Sequence, residues 1–153
     1  MQHPVLGIAV SIAALVAWSG PAAAQDLVNY TVQMNGAAAT PPNREPSTGT
    51  ATFILSGTQL RYAITVQGLS GPATAAHIHL GRVGVAGAPV LTLPVTSVAA
   101  GSVSEGTIDL TQDVSQGVSG DSLVVLFNNG SAYINVHTAA HPSGEIRGQV
   151  VRQ

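Results

Sequence analysis

The chain has 153 residues, with five Arg, no Lys, seven acidic residues and a formal charge of −2. That balance gives no basic footprint for nucleic acid and too little charge to steer a ligand from a distance. With no Cys and only 8% charged residues, disulfides and a lipidated cysteine are both excluded, so a hydrophobic core or a bound ion must hold the fold.

Met1-Gln2-His3-Pro4 leads into an apolar run from Val5 to Trp18, and Ala22-Ala23-Ala24 follows before Gln25. A short apolar core with an Ala-x-Ala ending is the pattern of a secretory signal peptide, expected here over residues 1–24, and it is too short to span a bilayer. The leading region lacks Lys and Arg, which leaves an uncleaved interfacial or membrane anchor as the alternative. The expectation is export to the periplasm or the cell exterior. Residues 25–153 would then form one domain of ordinary size, with no stable membrane span after cleavage.

The elements beyond this point read as strands. Leu27 to Met34 alternates, and residues 35–47 are rich in Gly, Ala and Pro and read as a loop. Gly49 to Leu55 and Gln59 to Gln67 flank the turn Ser56-Gly57-Thr58. In the second of these, Leu60, Tyr62, Ile64 and Val66 share one face and Arg61, Ala63, Thr65 and Gln67 the other, as in an antiparallel sheet with one wet side. A strand carrying His77 and His79 comes next, then a glycine-spaced loop to Pro89. Val90 to Val95 and Ser104 to Leu110 are further strands. The polar stretch 111–121 has room for one helical turn, and Leu123 to Phe127 suits a buried strand or a short helix. Ala132 to His137 and Gly144 to Val151 complete the set. About eight short strands separated by frequent turns predict an all-β, antiparallel Greek-key-like sandwich or barrel.

Four of the five histidines sit in two short motifs, Ala76-His77-Ile78-His79 and Asn135-Val136-His137-Thr138-Ala139-Ala140-His141. On a strand, residues two apart face the same way, so His77 and His79 can present two ring nitrogens to one ion. His137, on a strand that also turns Tyr133 and Asn135 to its face, supplies a third. Water, Glu145 or His141 would take a fourth position. Imidazole favours copper or zinc over the hard cations Mg²⁺ and Ca²⁺. The competing reading has no metal. In it, Glu145 and Arg147 form an ion pair within a buried polar network that includes the histidines, Asn135 and Tyr133. No Gly-x-Ser-x-Gly elbow is present, and Gly81, Gly84 and Gly87 precede no helix, so they are not a dinucleotide fingerprint. An enzyme is therefore less expected than a binding or structural module.

Three blocks of residues carry a resemblance. They are Tyr62-x-x-x-Val66-x-Gly68-Leu69, Ala76-His77-Ile78-His79-x-Gly81-x-x-Gly84-x-x-Gly87-x-Pro89-Val90, and Ala132-Tyr133-x-Asn135-Val136-His137-Thr138-x-x-x-Pro142-x-Gly144-Glu145-Ile146-Arg147-Gly148-Gln149. Together they resemble the CHRD domain, named from chordin and also found alone in exported bacterial proteins, over roughly residues 29–151. The resemblance implies a binding module, since chordin sequesters growth factors, but it names no partner protein for the isolated domain. His77, His79 and His137 fall on the family's histidine positions; His141 does not. The His-x-His strand is also similar to the copper strand of the Cu/Zn superoxide dismutase barrel. The loop from Leu80 to Thr92 has no His or Asp to act as bridging or zinc ligands, which argues against dismutation.

Overall fold

The computed structural model describes residues 26–115 and 117–153; the expected signal segment, residues 1–24, lies outside the described residues. β1 (Val28–Asn35), β2 (Thr48–Ser56) and β3 (Gln59–Gln67) form an antiparallel meander. Period-two patterning sets its register. Tyr30, Val32 and Met34 point inward from β1, Ala51 and Phe53 from β2, and Leu60, Ile64 and Val66 from β3. Slipping any one strand by a single residue would turn its apolar set to water. Gly57, with φ +56°, provides the left-handed turn between β2 and β3.

β4 (Ala73–Leu80), β5 (Pro89–Leu93), β6 (Gly101–Asp109), β9 (Ala132–Thr138) and β10 (Ile146–Gln149) join these three in the order β5-β4-β9-β10-β1-β2-β3-β6. The two free edges are nearly closed by the segment after β5: Thr96 N–H donates to Val103 O at 2.7 Å, and Ala73 N–H donates to Val98 O at 2.9 Å. β5 and β6 end the path without pairing to each other, and the segment after β5 bridges them; the circuit so closed runs β4-β5-β6-β3, a Greek-key order. The expected all-β barrel-like architecture is what the chain adopts.

Differences from the expectation are local. The polar stretch near residue 111 contains a small hairpin, β7 (Asp113–Ser115) and β8 (Val118–Ser119), where the sequence left room for one helical turn. The apolar run after it is helical: α1 (Gly120–Asn128) begins at an N-cap in which Ser119 Oγ accepts from Ser122 N–H. This helix buries Leu123 and Phe127, one turn apart, and the Phe127 ring meets Tyr30 and Phe53 edge-on at 5.2 and 5.0 Å. The last expected strand splits into β10 and β11 (Val151–Arg152), with buried Val150 between them. Loop 35–47 contains a single 3-10 turn, Gly36–Ala38. No helix among the described residues is long and apolar enough to cross a membrane.

β9 is unlike the others because all seven of its residues are buried. Its Ile134 and Val136 face the barrel core. Tyr133, Asn135 and His137 face outward and are covered by loops. The candidate site residues Tyr133, Asn135 and His137 lie on this covered outer face.

Candidate metal centre

Strand pairing brings the two histidine motifs together. β4 and β9 run antiparallel with His77 opposite Asn135, His79 opposite Tyr133 and Ala75 opposite His137. Ala76, Ile78, Ile134 and Val136 of the same strands point into the core, so the alternation that builds the core also fixes three imidazoles on the far side. His77 Nδ1 and His137 Nε2 are 3.0 Å apart. One ligand nitrogen from each of His77, His79 and His137 falls within 4.8 Å of the others, the only such group of His, Cys, Asp and Glu among the described residues. Two nitrogens at 2.0–2.1 Å from one ion can be no more than about 4.2 Å apart, so the widest pair has to close slightly. His77 is only half-buried, and no backbone carbonyl fixes its ring as Gly87 O and Pro142 O fix the other two.

The other ring nitrogens are fixed by backbone carbonyls. His79 Nδ1 lies 2.9 Å from Gly87 O, and His137 Nδ1 lies 3.0 Å from Pro142 O. A carbonyl only accepts, so both Nδ1 atoms carry the proton and both Nε2 atoms carry a lone pair. That arrangement is how proteins hold metal-binding histidines. His137 Nε2 meets His77, but His79 Nε2 is buried with no hydrogen-bond partner, and so is Asn135 Oδ1 on the same face. Desolvation lowers the pKa of all three rings; for His77 and His79 the neighbouring imidazoles lower it further. The cluster is therefore held neutral, the state in which imidazole binds a metal.

Tyr133 organises the surroundings. Its ring stacks on His79 at 4.8 Å with the planes 10° apart, and the Arg147 guanidinium carbon sits 3.5 Å from the centre of the same ring. His79 and Arg147 come from the strands on either side of β9, so the phenol is held between them. Gly87 N–H donates to Tyr133 Oη at 3.0 Å. A Cβ at Gly87 would lie 1.5 Å from Leu80 O, so only glycine brings this stretch of loop close enough to support His79.

Two expected roles are corrected. Glu145 and Arg147 do not form an ion pair. Glu145 accepts from Ser70 N–H at 2.8 Å, from the Ser70 hydroxyl and from the Thr138 hydroxyl at 2.6 Å. Arg147 donates to the Thr40 hydroxyl and to Arg82 O at 2.8 Å. Glu145 precedes β10 and so escapes the alternation that had placed it beside Arg147. Burial would raise the Glu145 pKa, but the bonds from Ser70 and Thr138 outweigh it and hold the carboxyl below its ordinary range. His141 does not join the other histidines. Its Nε2 lies 3.3 Å from Glu45 Oε1 near the surface. Asn135 remains in the patch, opposite His77, with Nδ2 at 3.4 Å from Ser143 O.

Gly87 O and Pro142 O, which orient the rings, were not named from the sequence. The only signals were the glycines after the first histidine motif and the Pro-x-Gly after the second.

No curated protein and no solved structure matches the chain significantly. The family model for the CHRD domain matches residues 30–150. That span contains every strand from β2 to β10 and all three clustered histidines, and the chain belongs to the CHRD-domain family.

Proposed function

We propose that this CHRD domain is an exported binding module that holds a copper or zinc ion through His79 Nε2, His137 Nε2 and a ring nitrogen of His77. The carrying observation is the buried, partnerless Nε2 of His79, its lone pair fixed by the Gly87 carbonyl behind it. A buried acceptor with no donor is costly, and a cation removes that cost. Export rests on the apolar leader and its Ala-x-Ala ending, and the all-imidazole donor set favours copper or zinc.

One observation favours a second reading. His77 and His137 already bond to each other, so the cluster can stand as a structural polar network beside a protein-binding surface. Metal content separates the two readings. Untagged protein purified without chelators should carry close to one equivalent of copper or zinc, and the ion should raise its melting temperature. His79→Phe keeps a flat ring against Tyr133 and removes the nitrogen. It should abolish that metal-dependent rise while leaving the metal-free protein within about 1 kcal/mol of wild type. Wild-type protein with no metal and no thermal response to either ion would leave the structural reading.

A further inference from the structure

The charge of Arg147 is not balanced by any carboxylate among the described residues. Its side chain is 2% exposed, yet its partners are a hydroxyl, a carbonyl and the face of Tyr133. Among the described residues, no carboxylate lies within ion-pair reach of it, and Glu145, two positions earlier, is satisfied by Ser70 and Thr138. Guanidinium cannot shed its proton in a protein, and a buried cation without a counter-ion is expensive.

Arg147 also lines a cavity of about 370 Å³ between the 3-10 turn after β1 and the loop after β4. The walls are mostly apolar: Ala37, Ala38, Ala39, Pro42 and Val83. Ala37, Ala38 and Val83 are exposed, so the cavity is reached from solvent. A small pocket with apolar walls and one charged group fixing orientation is the usual form of a small-ligand site. Both terminal nitrogens of Arg147 already donate, to Thr40 and to Arg82 O, which leaves Nε–H to meet a carboxylate in a charge-assisted hydrogen bond.

We propose that this cavity binds a monocarboxylate with a short aliphatic body, its carboxylate on Arg147 and its carbon chain against Ala38, Pro42 and Val83. The site is separate from the three histidines and does not depend on their holding an ion. Two sources share this chemistry: a free short-chain acid, and the C-terminus of a peptide ending in a small apolar residue.

The test uses metal-free, ¹⁵N-labelled protein, so that a carboxylate on a bound ion cannot produce the signal. The Arg147 Nε–H resonance is followed during titration with isobutyrate, with isobutyramide, and with an Ala-terminated tetrapeptide as its free acid and as its amide. At least one carboxylate should shift that resonance saturably by tens of millimolar, and the matching amide should bind at least about tenfold more weakly, because it forfeits a charge-assisted hydrogen bond. Stronger binding by the peptide acid identifies a chain terminus as the source; stronger binding by isobutyrate identifies a free acid. Ala38→Trp fills the cavity from an exposed position and should abolish the shift without touching Arg147. The proposal is overturned if the amides bind as well as the acids, if Ala38→Trp binds like wild type, or if no carboxylate moves the resonance.

Discussion

Glu145 is a buried carboxylate that makes no ion pair, and its stability rests on three donors, two from Ser70 and one from Thr138. Glu145→Gln keeps the size but presents an amide N–H₂ where donors already converge. We expect a loss of about 2–3 kcal/mol in urea denaturation, with metal uptake unchanged because the carboxylate is not part of the histidine cluster. A loss below about 0.5 kcal/mol would show that the hydroxyls simply turn to the solvent or to each other. At this scale the sequence revealed residue types better than partners. Strand alternation put His77 and His79 on one face and His137 on the same face as Tyr133 and Asn135; the pairing of β4 with β9, which makes the three rings neighbours, is a long-range contact that alternation does not give. The destinations of Glu145 and Arg147 were not legible, since their partners (Ser70, Thr138, Thr40 and a backbone carbonyl of Arg82) lie 7 to 107 positions away along the chain.

Among the elements, strands were legible wherever one face is wet. The alternation in β3 marks its buried side residue by residue, and Tyr30, Val32 and Met34 do the same for β1. In β9 the strand and its Tyr133, Asn135 and His137 face were legible but the burial of that face was not, and patterning was ambiguous where an apolar run is short. Leu123 to Phe127 fits a strand or a helix equally by periodicity, and the Ser119 cap together with Gly120 against Leu110 decides for helix. The loop between β4 and β5 carries the sharpest element-level prediction. Gly87→Ala would put a methyl group into Leu80 O, moving the carbonyl that orients His79 and the N–H that holds Tyr133. Metal affinity should fall by about 10–100-fold, as for other residues that orient a ligand from behind. Calorimetric titration of wild type and variant with Zn²⁺ measures it, and equal affinities would remove Gly87 from the site.

For the whole molecule, the three neutral imidazoles make stability depend on pH. Burial lowers each folded-state pKa below the unfolded value, which is near 6.5. Between those values the unfolded chain binds more protons than the native one, so stability rises with pH there. Metal-free protein should be fully stabilised above about pH 6.5 and lose stability as pH falls below it. Urea melts from pH 8 to pH 5 would show this, and the slope should shrink in His79→Phe. A flat profile would mean the histidines are as easily protonated folded as unfolded.

The barrel wall is continuous except between β5 and β6, where the segment after β5 contributes Thr96 N–H to Val103 O and Pro94 O to the Ser104 hydroxyl in place of a full ladder. An ion on the histidines would clamp β4 to β9 and leave this seam as it is. Breathing of the wall should start there. Deuterium should enter the Thr96 amide far sooner than those of Ile134 and Val136, and loading with zinc should slow the latter pair while sparing the former.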